Sequence, residues 1–576
     1  MKVFLNNLKK LWKFTKGEKA KLILFGITNS IGVLIGIILP IFSARIIIYL
    51  TDNKFKQLIM MAAIIYLIEN IYNIVFYFQR YASQRIFRNV YISIQKELGR
   101  EILKITNSCF DEEGSGTFLQ RITGDTRRLS DIFNSLITFI SSIIGNIGIY
   151  VALFLINKIV FIYVTIFSII LFFIENRRSN IINEQDKKIR KMNEKNSSFI
   201  AEMIRGARDV KMLNAEESFL QAYEDKVVTT NQFQYEMDAT NRKWSLIRSV
   251  LMDTRDFTLI ILLVYLISKG NLAVATALVV RSYSTRLSSI VDYFGMLLDK
   301  IKDFNLSCTR VFGILDGEEY PKEVFGNRKL DKVKGNFEFK NVSFSYDGKK
   351  KVLDNMNFKI KPNSTVAFVG KSGTGKSTIF NLLCKMYDVD NGEIKIDGVN
   401  INELDKDTIR GNITIINQNP YIFNLSIRDN LKLVKNDLTD EEMEEACKAA
   451  CIDEFIKALP DRYDTIVGEG GVNLSGGQKQ RLAIARALIQ KTEIILFDEA
   501  TSALDNITQQ RIQQAIENMK HDYTIMIIAH RLSTIVNSDR ILFIEDGHIE
   551  SEGTHEELLK SCKSYKKLYE TEICND

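Results

Sequence analysis

Long apolar runs flanked by charge fill the first half of the chain, and short apolar runs punctuated by glycine fill the second. The runs at 22–50, 57–82, 133–156, 159–174, 246–268 and 271–298 predict six membrane-spanning helices, since about 20 residues of helix cross the hydrocarbon core of a bilayer. The connections at 51–56, 157–158 and 269–270 are very short. Those at 83–132 and 175–245 are long, charged and amphipathic, and predict helices that continue out of the membrane. Pro40, the only proline in this half, predicts a kink in the first span. Ahead of it, residues 1–21 carry seven lysines and one acid between Val3, Phe4, Leu5, Leu8, Leu11, Trp12 and Phe14. That spacing predicts a basic amphipathic segment on the inner membrane face. Its charge puts the N-terminus in the cytosol, and an even number of spans puts the C-terminus there too.

After residue 315 the period changes. Residues 316–335, with Pro321, glycine and mixed charge, predict a linker between a membrane domain (22–315) and a soluble domain (336–576). Phe337, Phe339, Val342, Phe344 and Tyr346 alternate as strands do. Val366–Val369, 494–497 and 523–529 read as buried strands. Residues 377–383 and 480–489 read as helices.

The chemistry sits at the ends of these elements. Gly370-Lys371-Ser372-Gly373-Thr374-Gly375-Lys376-Ser377, followed by Thr378, fits the phosphate-binding loop G-x-x-x-x-G-K-[ST] and lies between a strand and a helix start. Glycines let backbone N–H groups converge on phosphate oxygens, and the helix N-terminus adds its dipole. Lys376 then reaches the β- and γ-phosphates, and Ser377 offers its hydroxyl to Mg²⁺. Asp498 closes the strand 494–497, a position that suits Mg²⁺, and Glu499 is placed to polarise an attacking water. His530 ends the next strand at the same edge, within reach of a γ-phosphate. Leu474-Ser475-Gly476-Gly477-Gln478 opens a helix without a lysine, an anion site suited to a nucleotide already held elsewhere. Tyr346, 24 residues before Gly370, is placed to stack on a base, although a lone aromatic equally reads as core or surface.

Glu69, Asp253, Arg255, Asp256, Arg281 and Arg286 interrupt the apolar runs at a similar depth, roughly 15–25 Å from the outer loops at ~1.5 Å per residue. Charge in lipid is costly, so these face the bundle interior or a water-filled cavity. They read either as a polar substrate cavity or as a structural ion-pair network between spans two, five and six.

Composition narrows this picture. With 576 residues a single core is excluded. A net charge of +6 with acids interspersed gives no reason to invoke nucleic acid. The seven cysteines show no C-x-x-C pair and no metal-ligand spacing, and read as reduced thiols. No cleavable signal peptide is visible. The wealth of Ile, Lys and Asn points to an AT-rich bacterial genome and a bacterial plasma membrane.

Taken together, these motifs resemble those of the ATP-binding-cassette (ABC) exporters, over nearly the whole chain. Leu474–Gln478 matches the family signature, and its company with both Walker motifs is diagnostic. The resemblance implies a half-transporter: an all-α polytopic membrane domain of six helices, of the type IV exporter kind, followed by an α/β P-loop NTPase cassette. It implies ATP and Mg²⁺ as ligands. It makes Gln418 the Q-loop glutamine and a metal contact, Asp505 a D-loop residue, His530 the switch histidine and Tyr346 the A-loop aromatic. Residues 110–125 and 202–216 resemble the exporters' two long cytosolic loops and are expected to carry coupling helices. One departure is visible at 465–471, where Ile466 and Gly470 replace an acid and an arginine. The resemblance further implies ATP clamped between the phosphate loop of one cassette and the signature of another. This chain has one cassette, so a dimer is expected; intact motifs favour a homodimer, with a heterodimer open. The expected activity is ATP-driven export of an amphipathic compound (peptide, drug or lipid). An importer of the metal-chelate type and an ATP-gated channel are the alternatives. No peptidase segment precedes the first span, so leader-peptide cleavage is not expected.

Overall fold

A computed structural model describes residues 2–573 apart from 114, 288, 418–419, 469–470, 499–509, 511–513, 515, 518, 521 and 529–534. The chain divides into two compact units, Met1–Leu103 with Ser115–Glu319, and Lys104–Gly114 with Tyr320–Asp576.

The first unit is helical. After α1 (Lys2–Leu11) and a 3-10 turn (Trp12–Thr15) come α2 (Lys19–Thr51) and α3 (Phe55–Ile102). The excursion to the second unit holds α4 (Asn107–Glu112). Then follow α5 (Ser115–Gln120), a π-helical turn (Arg121–Asp125), α6 (Thr126–Ile156), α7 (Lys158–Arg205), α8 (Ala207–Met212) and α9 (Glu216–Ser268). α10 (Val274–Leu287) and α11 (Ser289–Leu315) complete the unit. Four stretches, Lys19–Thr51, Phe55–Ile102, Gly116–Ile156 and Lys158–Arg205, are long and apolar enough by themselves to cross a membrane among the described residues. In α9 the charges at Arg248, Asp253, Arg255 and Asp256 break the apolar run. The long connections are helical extensions, as their amphipathic pattern predicts: α3 and α7 each run for 48 residues and α9 for 53. The run at 159–174, short for a span, is thus the first part of a much longer helix.

Local chemistry explains the sharp reversals. Asn157 alone separates α6 from α7, and its side chain caps α7 by accepting from the N–H of Ile159 (2.9 Å) and Val160 (3.3 Å). Asn53, at positive φ, turns the chain between α2 and α3. Pro40 lies inside α2 and leaves the Gly36 carbonyl without its helical donor. One residue on, the Tyr283 hydroxyl donates to the Ile37 carbonyl at 2.7 Å, the kind of repair a broken helix needs where water is absent. Arg286 comes close to Gly36, where an added Cβ would lie 2.3 Å from its guanidinium and would displace the arginine's end.

The second unit is built on two sheets. Strands β1 (Phe337–Phe344), β2 (Leu353–Ile360), β4 (Asn391–Ile396) and β5 (Val399–Asn400) form an antiparallel sheet in the order β2-β1-β4-β5. The larger sheet also takes in β3 (Thr365–Val369), β6 (Ile413–Ile416), β9 (Ile494–Asp498), β10 (Thr524–Ile528), β11 (Arg540–Glu545) and β12 (His548–Gly553). Its order is β12-β11-β3-β10-β9-β6, parallel except for β12. A short pair, β7 (Leu425–Ser426) and β8 (Ile466–Val467), stands apart.

Strand side chains alternate between faces. Ala367, Val369, Ile495, Phe497, Ile525 and Ile527 point to one core, and Val366, Phe368, Ile494, Leu496, Met526 and Ile528 to the other. This double burial is why the strands read as unbroken apolar runs. The first core is closed by α14 (Ile427–Lys432), α15 (Asp440–Ala449), α16 (Asp453–Ala458) and α17 (Gly476–Gln490), and by the C-terminal α18 (His555–Ser561) and α19 (Lys563–Ile573). The second is closed by the antiparallel sheet, by α12 (Lys376–Leu383) and by α13 (Lys406–Arg410). Each such apolar side chain contributes about 1.5–3 kcal/mol by leaving water.

Candidate functional site

The parallel strands end in register, with Ile528 beside both Asp498 and Phe368. The carboxyl ends of β3, β9 and β10 therefore form one edge, the place where open α/β sheets bind ligands. The loop 370–375 leaves β3 at this edge and enters α12. Two of its glycines need their missing side chains. Gly370 would drive a Cβ to 2.2 Å from the Ile544 carbonyl oxygen. Gly375, the residue before α12, has φ +93° and would press a Cβ to 2.6 Å from Leu353.

Lys376 is buried, and its ammonium donates to the carbonyls of Gly370 and Lys371, both at 2.8 Å. It thus lies folded across the mouth of the loop. Ser377 Oγ donates to Asp498 Oδ1 at 3.1 Å across 121 residues of sequence. A hydroxyl and a carboxylate at that separation form the hard-oxygen donor set that Mg²⁺ takes alongside phosphate oxygens, so the residues fit the ion. Ser372 and Gly373 are exposed on the loop and Thr378 is buried behind it.

Tyr346 stands beside the same helix start. Its hydroxyl lies 3.1 Å from Thr378 Oγ1 and accepts from Asn381 Nδ2 at 3.3 Å. Phe344 and Tyr387 pack edge-on against it, with ring centroids 4.9 and 5.1 Å away. The ring is 48% exposed, so its remaining surface is open to a planar partner. Sequence reasoning missed Asn381 and Tyr387. Helical spacing from Thr378 points to Asn381, whereas nothing in the pattern points to Tyr387. The Tyr387 hydroxyl donates to Asp111 in α4, and burial followed by this carboxylate pushes its pKa above the usual tyrosine range.

The signature residues lie at the N-terminus of α17. Ser475 is its N-cap in a reciprocal box: its hydroxyl accepts from the Gln478 N–H at 3.3 Å, and the Gln478 side chain accepts from the Ser475 N–H at 2.8 Å. Ser475 and Gly476 are exposed and Gly477 is buried. The helix still presents the N–H groups of Gly476 and Gly477 and the hydroxyl hydrogen of Ser475 as donors.

Gln418, Glu499, Asp505 and His530 lie outside the described residues.

The intramembrane charges divide. Arg255 is buried, bonded through Nε (2.9 Å) and Nη2 (2.6 Å) to Asp256 Oδ1, and its Nη1 donates to the Ser284 carbonyl at 3.3 Å. Arg286 rests on Gly36. Glu69, Asp253, Arg281 and Arg286 are exposed on their helices. Arg255 and Asp256 form an ion pair inside α9.

Residues 22–291 match the ABC transporter transmembrane region and residues 353–502 the ABC transporter domain. An ATP-dependent lipid A-core flippase of Haemophilus influenzae is 33% identical over 98% of this chain and 97% of the relative. An uncharacterized ABC transporter ATP-binding protein of Bacillus subtilis is 29% identical over 98% and 94%. In three dimensions a bacterial Atm1-family ABC exporter, solved with ATP bound, superposes with a TM-score of 0.84 at 25% identity, covering 97% of this chain and 98% of that one.

Proposed function

Because this chain belongs to the ABC transporter family, as a membrane protein whose ATP hydrolysis is coupled to export of an amphipathic compound, we propose that two copies of it work together by alternating access. ATP lies in the loop 370–377 of one copy and meets Ser475–Gln478 of the other. The observation that carries this reading is the Ser377–Asp498 pair beside the buried Lys376, at the carboxyl edge of the parallel sheet.

On nucleotide binding Lys376 exchanges its two carbonyl acceptors for β- and γ-phosphate oxygens, a stronger, charge-assisted pairing. Ser377, Asp498 and Gln418 would hold Mg²⁺, which would supply neutralisation of the phosphate charge. Tyr346 stacks on the base. Glu499 accepts the proton of the attacking water, and His530 keeps that water aligned with the γ-phosphate. Asp505 lines the same interface. Closure favours the outward-facing state, because the signature's contacts to ATP exist only when the cassettes meet. Release of ADP and phosphate removes those contacts and resets the cavity.

In the membrane half, Arg255 and Asp256 form a fixed pair and contribute shape. Glu69, Asp253, Arg281 and Arg286 give the cavity its mixed charge, which suits an amphipathic cargo with both charged and apolar parts. The family relative named as a lipid A-core flippase supports a lipid-like cargo.

Transport into inside-out vesicles tests the proposal. Wild-type protein accumulates a lipid-like fluorescent cargo with ATP. Glu499→Gln binds ATP but turns it over about 100-fold more slowly, and accumulation stops with it. Unimpaired turnover in that variant, or movement of cargo outward from the vesicle, overturns the assignment.

A further inference from the structure

α1 has two working faces. Phe4 and Leu11, seven residues apart, are buried. On this side α1 and the turn after it grip α11. Phe4 packs edge-on against Phe304 at 5.4 Å and Phe14 against Phe312 at 6.4 Å. Asn7 donates to Asn305 at 3.0 Å, and Lys10 pairs with Asp316 just past the end of α11 while lying over the Phe312 ring. The same strap touches α6 through Trp12 and Phe133, and Glu18, next to α2, reaches Asn89 of α3 at 2.6 Å.

The other face is unlike the first. Lys2 and Lys9 lie seven residues apart, a spacing that stacks side chains along one line of α1, and Lys13 follows them in the 3-10 turn. All three are exposed, as is Lys16. Beside that line stand the exposed apolar side chains of Leu5 and Trp12. No acid occurs before Glu18. A cationic line edged by leucine and tryptophan has the chemistry of a bilayer surface: apolar groups enter the acyl boundary and ammonium groups meet phosphates.

We propose that Lys2, Lys9 and Lys13 form a binding surface for anionic phospholipid headgroups, and that its occupancy sets the rate of ATP hydrolysis through the grip of α1 on α11. The bilayer in question is the one implied by the exporter reading above, so the proposal rests on it. The route is mechanical. α11 is the last helix before the linker to the cassette, and α1 holds it at three successive places, Phe304–Asn305, Phe312 and Asp316. Pinning α1 to the membrane surface pins that end of α11 and so restricts the positions from which the cassette moves.

The test uses the full-length protein in nanodiscs of phosphatidylcholine alone or mixed with phosphatidylglycerol. Two quantities are read: phosphatidylglycerol retained on detergent extraction, and the ratio of ATPase rates in the two bilayers. Wild-type protein retains phosphatidylglycerol and shows a ratio differing from one by about threefold or more. The ratio returns towards one at about 0.5 M salt, where screening shortens the reach of the lysines. Replacing Lys2, Lys9 and Lys13 by Gln together abolishes both retention and ratio, and replacing all three by Arg keeps both. Breaking the grip with Asn7→Ala and Asp316→Asn keeps retention and abolishes the ratio. A triple Gln variant with wild-type retention and ratio overturns the binding surface. An unchanged ratio in the grip variant overturns the route through α11. Absence of hydrolysis in every nanodisc would instead strike at the transporter reading, and retention alone would then decide the lipid surface.

Discussion

The proposed phosphate site rests on a small number of side chains whose neighbours are fixed by the strand ends. Lys376 is a buried ammonium that donates to two carbonyls, which hold it at the loop where an anion would bind. Asp498 stands one hydrogen bond from Ser377, so it is aimed before any ion arrives. Replacing Asp498 with Asn removes the charged member of the proposed metal pair. Hydrolysis should fall about 100-fold while binding of a fluorescent ATP analogue is retained, and chelation by EDTA should no longer lower the residual rate. Wild-type hydrolysis in Asp498→Asn would show that the metal is held elsewhere. The thiols stay out of this chemistry. Burial pushes Cys384, just after α12, and Cys447 up to about 12, so both are protonated and unreactive at neutral pH.

Among the elements, the segment Lys104–Gly114 has a placement that its sequence position hides. It belongs with the cassette, tied to the linker by main-chain bonds from Thr106 to the Pro321 carbonyl (3.0 Å) and from Glu323 to the Lys104 carbonyl (2.8 Å). Tyr320 adds a bond to Glu113 at 2.6 Å. The linker is in turn held by Arg410, whose two terminal nitrogens grip the Glu323 carboxylate at 2.9 and 2.6 Å. The same guanidinium donates to the carbonyls of Cys384 and Lys385, directly behind α12. Glu323 is nearly buried, so deleting Arg410 leaves a carboxylate with little water, beside the Lys406 ammonium at 3.9 Å. Arg410→Ala should cost about 2–3 kcal/mol and lower the cassette's unfolding temperature in the full chain by about 5–10 °C. Calorimetry checks this; an unchanged transition would mean that the linker is held without Arg410.

The molecule as a whole must bring two half-sites together, because the phosphate loop and the signature face different partners in the proposed cycle. A complementation experiment separates this from a site complete in one chain. Lys376→Ala spoils a phosphate loop and Ser475→Arg spoils a signature, and each variant alone should be inactive. Co-expressed, they form mixed pairs in which one composite site has both its halves intact. Activity should recover to about a quarter of wild type, since random pairing makes half the dimers mixed and each holds one of two sites. No recovery in verified mixed pairs would sink the shared site.

Much of this was legible from residue order alone, for a physical reason. Phosphate binding depends on backbone N–H groups, glycine freedom and one lysine within eight consecutive positions, so 370–377 carries its chemistry locally. Strands buried on both faces, such as Ile494–Asp498, and helices long and apolar enough to cross a membrane, such as Lys19–Thr51, are likewise written in their own apolarity. The pairing of side chains distant in sequence is not. Ser377 meets Asp498 only because β3 and β9 end on one edge of a sheet, with β10 between them. Tyr387 meets Asp111, and Arg410 meets Glu323, only because the excursion 104–114 and the linker fold against the cassette. Arg255 pairs with its neighbour Asp256 within α9, a contact that requires no particular placement of another span. Composition placed those six charges at one depth; the packing of helices determined which of them remained exposed.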